Sequence, residues 1–327
     1  MPIREYSYAS QLRLELGLRN RSFARGRLHV ESYGKSPVIV YAPDDGRHGN
    51  FFDLAYAAIA ARPEWMRRFD KIHAQAGHSL PKLVPESARR WRELDSSMSS
   101  DALLMNVFCS PGVADCLAVR RLLGIDTEGL PEFGWKARVP LKNGRLDRTE
   151  VDMRWGDLLV ESKLTEADFQ TCKAKVVEAY RDLDKVFDLS LLPRVNMTVG
   201  RRREAAEYPE DYSQDEKIVP PNEVEPVSFR DMRVTTEGFA SYQLIRNVLA
   251  AYAQESNFCV ILDARRPDLQ ESWFQVMAAV RSAAMRSRLK VLTWQELAEA
   301  LPIELQEFLD LKYGIAAPGR TPSPIGD

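Results

Sequence analysis

Apolar residues in the second half of the chain recur at the spacings of alternating helices and buried strands. The segment 239–252 places them three and four residues apart, which predicts an amphipathic helix, and the short apolar runs 258–262 and 289–292 predict buried strands. A helix from 267 to about 286 lies between those strands, and the box Thr293-x-x-Glu296 begins another. The order strand, helix, strand implies crossover connections on a mixed sheet.

Polar residues mark the starts of further helices. The serines from 96 to 100 supply N-caps for a helix whose apolar side carries Leu103 and Phe108. The box Thr165-x-x-Asp168 resembles a capping box, and apolar residues then follow at spacings of three and four as far as 187. That pattern predicts one helix after the box.

The chain divides into regions of different pattern. We expect residues 1–95, with short strands at 28–31 and 38–41, to pack as an N-terminal region on a core that spans 96–313. Within the core, residues 201–227 carry eight acids and four prolines, which predicts a surface insertion. The segment 314–327 has the composition of a disordered tail.

The stretch 146–169 predicts a β-hairpin. Glycine at the first position of a two-residue loop favours a type II′ turn, so Gly156-Asp157 is the expected turn. Three steps outward from this turn, Asp152 then lies opposite Glu161. Directly opposed Cβ atoms are about 4.5–5.5 Å apart, a distance at which two carboxylates repel unless a cation lies between them or one is protonated.

Lysine completes the polar set of this hairpin. Because side chains alternate along a strand, Lys163 projects from the same face as Glu161 and is predicted to lie opposite Glu150. Acid-x-Lys occurs three times in the chain, at 161–163, 215–217 and 310–312. Only the first occurrence lies on a predicted strand with a tight turn and an opposed acid.

This Asp…Glu-x-Lys hairpin resembles the active-site core of the PD-(D/E)XK nuclease superfamily. The resemblance implies that Asp152 and Glu161 are ligands of a Mg²⁺ or Mn²⁺ ion and that Lys163 is the catalytic lysine that assists the attacking water. Val151 stands where the name of the motif has proline. Asp152, Glu161 and Lys163 are therefore the expected catalytic residues.

The flanking helices resemble those of a largely uncharacterised, restriction-endonuclease-like branch of that superfamily. The resemblance implies that Asp101, Asn106 and Gln243 support the metal site, and Glu150 is a further candidate for that role. That branch has a glutamine at the position of Asp101. Plainer roles stay open, since Asp101 is equally suited to stabilise a helix N-terminus, Asn106 to form a cap and Gln243 to face solvent.

Composition and charge add limits to these expectations. The 327 residues are 45% hydrophobic and 28% charged, which suits one large globular domain or two modest ones. The start of the chain has charges where a signal peptide needs apolar residues, and no apolar run approaches the roughly 18 residues that span a bilayer. We therefore expect a cytoplasmic protein without a membrane partner.

The net charge of −2 does not indicate nucleic-acid binding, although a neutral protein can carry a local basic groove. Residues 11–27 contain five arginines against one acid. Arg19, Arg21 and Arg25 are either phosphate contacts or part of an ordinary solvated surface.

Together these patterns predict an α/β fold with a restriction-endonuclease-like core, in which helices flank a mixed sheet that contains an antiparallel hairpin. The resemblance implies a hydrolase, a nuclease that cleaves DNA, in restriction or in defence against foreign DNA. DNA is the expected partner, and a homodimer or a partner protein is the expected source of specificity. The alternative is a non-catalytic nucleic-acid-binding or assembly protein with the same fold. A purely structural role for the polar residues of the hairpin also stays open, in which Glu150 pairs with Lys163 and Asp152 pairs with Arg148 or Arg154.

Overall fold

A computed structural model of the chain describes residues 7–32, 37–72, 91–200 and 233–325. Its helices are α1 Tyr8–Phe23, α2 Asp53–Ala60, α3 Pro63–Met66, α4 Ser100–Phe108, α5 Leu117–Leu123, α6 Ala174–Val177, α7 Leu183–Val186, α8 Tyr242–Ala253, α9 Pro267–Ala278, α10 Ala283–Arg286, α11 Trp294–Ala298 and α12 Ile303–Tyr313. Short 3₁₀ turns occupy Arg67–Asp70 and Glu93–Asp95.

The described residues also form β-strands of two to seven residues. They are β1 His29–Glu31, β2 Ile39–Tyr41, β3 Pro43–Asp44, β4 Arg47–His48, β5 Glu132–Lys136, β6 Val139–Pro140, β7 Leu146–Asp147, β8 Glu150–Trp155, β9 Leu158–Ser162, β10 Cys172–Lys173, β11 Arg194–Gly200, β12 Arg233–Phe239, β13 Asn257–Leu262 and β14 Leu289–Thr293.

A five-stranded mixed sheet forms the centre of the molecule. Its strand order is β14-β13-β9-β8-β5, in which β8 pairs antiparallel with both β9 and β5. β13 runs parallel to β9 and to β14, and α9 and α10 form the crossover between β13 and β14. The predicted α/β class, with an antiparallel hairpin in a mixed sheet, is confirmed.

Side chains alternate between the two faces of this sheet along its central strands, and helices cover both faces, so both are buried. On β9, Leu159 packs into a cluster with residues of α8 and α9, whereas Leu158 and Val160 pack on the opposite face with residues of α4 and α11. On β13, Val260 and Ile261 divide between the same two clusters. The two apolar layers determine which side chains of each strand point to which side of the sheet.

The prediction of one helix after Thr165 is wrong. The structure has only the four-residue helices α6 and α7 in this part of the chain, because Cys172 pairs with Phe239 in a second sheet of order β10-β12-β11. The carboxylate of Asp168 accepts the backbone N–H of Gln170 at 2.7 Å and forms a turn instead of a helix start. Phe169, Tyr180, Leu183 and Phe187 of this stretch are nevertheless buried, whereas Val176 is exposed.

The helix predicted from 267 to about 286 is two helices, since α9 ends at Ala278 and α10 begins after the N-cap Ser282. The capping box at Thr293 is confirmed. Its hydroxyl accepts the N–H of Glu296 at 3.1 Å, and the Glu296 carboxylate accepts the N–H of Thr293 at 2.7 Å.

The C-terminal segment contacts α12 as far as Ser323. The Ser323 backbone N–H and hydroxyl donate to the carboxylate of Asp310 at 2.8 and 2.7 Å, and Ile315 is fully buried. The predicted insertion 201–227 lies outside the described residues. Across the ranges that are described, no helix combines the length and the apolar character that crossing a membrane requires.

Candidate active site

The hairpin forms with the predicted turn, and its register follows the prediction as far as Met153 and Val160. Gly156 has φ 60°, the left-handed value that the first position of a type II′ turn requires, and Trp155 pairs with Leu158. The antiparallel ladder ends at the pair Met153 and Val160. Beyond that pair the two strands of the hairpin separate.

Asp152 lies where the strands separate and is not directly opposite Glu161. One oxygen of its carboxylate accepts the backbone N–H of Ser162 at 2.8 Å. The Asp152 side chain therefore accepts the N–H that a backbone carbonyl of β8 would otherwise accept. On its other side, β9 pairs with β13, where Glu161 lies beside Val260. The expectation of a direct cross-strand pair is corrected to a contact one residue further along β9.

Glu161 and Lys163 form a buried ion pair. The ammonium group of Lys163 donates to Glu161 Oε1 at 2.7 Å. Lys163 is 4% exposed and Glu161 is 2% exposed. The amide of Asn247 on α8 donates to Glu161 Oε2 at 2.8 Å. Because a buried charge is costly without a partner, each of these contacts stabilises the ionised carboxylate.

Lys163 is held in its charged form. Burial works to lower the pKa of its ammonium group, but the carboxylates of Glu161, Glu166 and Asp152 outweigh burial and raise that pKa above its ordinary value. The side chain is therefore a fixed positive charge and a hydrogen-bond donor, not a base.

The surroundings of Asp152, in contrast, disfavour its charged form. Burial raises the pKa of its carboxyl group well above the usual range, and the like charges of Glu161 and Asp101 raise it further. A second positive charge at this point would relieve that repulsion. Protonation of Asp152 would relieve it as well.

A second group of ion pairs lies beside the first. Arg68 and Lys71 donate to the same oxygen of Asp101, at 2.7 and 3.0 Å, and Arg68 also donates to Glu150. Lys71 and Lys136 lie 3.6 and 3.5 Å from the Glu150 carboxylate. Burial alone would raise the pKa of Asp101 and of Glu150, but these cations hold both pKa values below the ordinary range.

This arrangement changes two expectations. Glu150 binds Arg68 and not Lys163, so the expected cross-strand ion pair of Glu150 with Lys163 is absent from the described residues. Asp152 has no ion pair with Arg148 or Arg154 there either, and the Arg154 Nε donates to the carbonyl of Gly156 at 3.1 Å.

A glycine on β5 makes room for Arg68. Gly134 has φ 66°, and a Cβ atom there would lie 2.5 Å from a terminal nitrogen of the Arg68 guanidinium. The replacement Gly134→Ala is therefore expected to displace Arg68 from Asp101 and Glu150. A buried group left without its partner costs about 1–3 kcal/mol, in addition to about 1–2 kcal/mol for a side chain in the left-handed region.

Gly144→Ala is the matched control for this prediction, because Gly144 has φ 79° and nothing within 4 Å of the added Cβ. Chemical denaturation of both variants separates the backbone cost from the loss of the Arg68 contacts. Equal losses of unfolding free energy in the two variants would contradict the proposed displacement.

A buried arginine fixes the loop that follows Lys163. The Arg266 guanidinium is fully buried and donates to the carbonyls of Leu164, Glu166 and Ala167 at 3.2, 2.7 and 3.1 Å. It also binds the carboxylate of Asp268 with two nitrogens. These contacts tie the end of β9 to the start of α9 and so hold Lys163 in place.

The other predicted supporting residues have mixed outcomes. The side-chain amide of Asn106 donates to the backbone carbonyls of Asn50 and Ala102 at 3.1 and 2.8 Å, and its oxygen accepts the backbone N–H of Phe52 at 2.7 Å. It therefore ties the N-terminal region to α4 and is not brought into the site. Gln243 begins the helix face that carries Asn247, and its buried Oε1 has no hydrogen-bond partner among the described residues.

Sequence reasoning missed Asn247, Arg266, Arg68 and Lys71. For Asn247 a signal existed, because it lies four residues after Gln243 on the same face of an amphipathic helix. Its neighbour Arg246 donates to the Asn247 side-chain oxygen and orients the amide toward Glu161.

The N-terminal arginines are placed differently from one another. Arg19 is 7% exposed and donates to Glu15 and to the carbonyl of Ser323, both at 2.9 Å, so in this arrangement it cannot contact a phosphate. Arg21 is exposed but paired with Glu31 at 2.6 Å, and Arg25 is exposed. We therefore remove Arg19 from the expected phosphate contacts.

The residues of the site fit a hard divalent cation. Within the described ranges, no group of three or more His, Cys, Asp or Glu side chains is arranged to hold a metal ion. Mg²⁺, however, commonly uses one or two carboxylates and keeps several waters. A carboxylate has about four lone-pair sites, and neither Asp152 nor Glu161 uses all of them in the contacts described above.

Residues 18–314 match the family model REase-ARP, which is described as "Restriction Endonuclease associating with ARP". No curated protein and no solved structure matches the chain.

Proposed function

The chain belongs to the family of restriction endonucleases associating with ARP, and we propose that it is a metal-dependent nuclease of the PD-(D/E)XK type that hydrolyses phosphodiester bonds of DNA. The observation that carries this proposal is the convergence of Asp152, Glu161 and Lys163 where β8 separates from β9. There the Lys163 ammonium lies 2.7 Å from Glu161, and Asp152 experiences the repulsion of nearby like charges.

Asp152 and Glu161 are the proposed ligands of Mg²⁺ or Mn²⁺. A bound ion would supply Lewis-acid polarisation of the phosphate and a lower pKa for a coordinated water. The chain contributes the two carboxylates in a fixed geometry. The Ser162 N–H orients Asp152, and the Asn247 amide orients Glu161.

Lys163 has a separate role in the proposed reaction. Because its pKa is raised, it keeps its proton and offers N–H donors to the attacking water and to the phosphate oxygens. A fixed charge of this kind stabilises the negative charge that develops in the transition state more than the charge of the ground state. Arg266 and Asn247 act as positioning residues, through the loop after Lys163 and through Glu161.

The family description also suggests a partner. It names an association with ARP, and we propose that a partner protein contributes to target recognition by this chain. Restriction of foreign DNA is the proposed setting.

Plasmid cleavage tests the proposal. We expect supercoiled DNA to be nicked or linearised in Mg²⁺ or Mn²⁺, to stay intact in EDTA, and to be cut again when the metal is restored to the same sample. The restored sample controls for damage by the chelator. Equal cleavage with and without EDTA would contradict the metal-dependent mechanism, whereas DNA binding without cleavage in either metal would favour a non-catalytic binding protein.

A further inference from the structure

A surface groove follows one edge of the central sheet. β5 is the last strand in the order of that sheet, and two cavities of about 870 and 380 Å³ lie along it. Both are lined by Glu132, Phe133 and Gly134. The smaller one is also lined by Lys71 and Glu150, so the groove extends to the ion pairs beside the active site.

The larger cavity is basic. Its lining includes four cationic side chains, Lys136, Arg138, Arg148 and Arg154, and one acid, Glu132. The whole chain has a net charge of −2, so this is a local concentration of positive charge.

The cations of the groove are mostly not neutralised by the protein. Arg138 and Arg148 are exposed, and neither has an acidic partner within 4 Å among the residues that the structure describes. Arg154 lies over the ring of Trp135, 4.9 Å from its centroid. Lys136 is paired with Glu150 at 3.5 Å but remains exposed. The groove therefore presents charge that a polyanion can use.

We propose that this groove binds the phosphate backbone of the nucleic-acid substrate and leads it to Asp152, Glu161 and Lys163. The inference rests on the proposed nuclease function, because it assigns the backbone contacts of that same site. When cationic side chains without a protein partner contact phosphates, they displace counterions that are condensed on the nucleic acid. This release is the main source of sequence-independent affinity. The paired Arg21 and the buried Arg19 offer less of such charge.

Salt-dependent binding tests the groove. The double variant Arg138→Gln/Arg148→Gln is compared with Arg121→Gln/Arg286→Gln, which removes the same net charge from two exposed positions outside both cavities. Binding to a short duplex DNA, and to duplex RNA of the same sequence, is measured in EDTA over a range of salt. For the groove variant we expect the slope of log K against log salt to become shallower by about 1.8, since each lost phosphate contact removes about 0.9.

The control variant is expected to keep the wild-type slope. An unchanged slope in the groove variant, or an equal change in both variants, would overturn the assignment of the groove. So would an absence of binding of the wild-type protein to both duplexes.

The nuclease function is judged separately by cleavage in Mg²⁺. Cleavage with an unchanged slope in the groove variant rejects the groove alone, and the expected slopes without cleavage reject only the nuclease. The duplex whose slope responds identifies the preferred nucleic acid.

Discussion

Asp152→Asn is expected to abolish metal-dependent cleavage and, at the same time, the stabilisation that the metal provides. Asparagine keeps the size of the side chain and an oxygen that can accept the Ser162 N–H, so the fold should be retained. It removes a charged ligand. For a metal at one hundred times its Kd, the stabilisation lost is about 2.7 kcal/mol.

Without metal, the same variant should be at least as stable as the wild-type protein. Without metal, the wild-type Asp152 either carries a charge against the like charges of Glu161 and Asp101 or must bind a proton, because burial and these charges raise its pKa, and the substitution removes that penalty. Thermal unfolding with and without Mg²⁺ measures both effects. Two effects of opposite sign from one substitution identify a metal ligand more clearly than a loss of activity does.

Asp157→Asn is the matched control, because Asp157 lies in the turn of the same hairpin and binds Asn257 at 2.7 Å. This variant should keep the metal-induced rise in stability and the cleavage rate. If Asp152→Asn also kept the metal-induced rise, Asp152 would not be a ligand.

Lys163→Met is expected to reduce turnover strongly while metal binding is retained or becomes tighter. Loss of one preorganised donor to a developing charge commonly lowers kcat by about 10² to 10³. The variant leaves Glu161 buried without its cation, and breaking a buried pair in this way costs about 3–5 kcal/mol. A bound metal ion offsets part of that cost, so Mg²⁺ should raise the stability of this variant more than that of the wild-type protein.

Calorimetric titration with metal, unfolding in saturating Mg²⁺ and a cleavage assay measure the three effects of Lys163→Met. Lys163→Arg serves as the comparison, since it keeps the charge beside Glu161 and should retain most of the stability without metal. Wild-type turnover by the Lys163→Met protein would leave Asp152 and Glu161 as a simple cation site and would remove the main argument for a nuclease.

The sequence was sufficient to predict the elements that depend on local chemistry. Gly156 determined the turn of the hairpin and therefore its register as far as Met153 and Val160. The apolar runs at 258–262 and 289–292 predicted two parallel strands of the sheet. The same reasoning identified the hairpin as the place where Asp152, Glu161 and Lys163 meet. Each of these inferences used residues that are neighbours along the chain or across one tight turn.

Inferences that depended on distant contacts were less successful. The apolar spacing from 169 to 187 fits a helix, but pairing of Cys172 with Phe239 draws the segment into a sheet. A side chain that takes a backbone N–H, as Asp152 does, ends a ladder at a point that periodicity cannot indicate. Arg68 reaches Glu150 across 82 residues of sequence, and no local pattern relates the two.

The Arg68 contacts mean that the site is not modular. A boundary after residue 95 separates two sequence patterns, yet Arg68 and Lys71 from one side of it neutralise Asp101 and Glu150 on the other. A core transplanted into another protein would carry all three proposed catalytic residues but not these counter-charges. Recombination between relatives would therefore preserve the electrostatic balance of the site only when both segments come from the same parent.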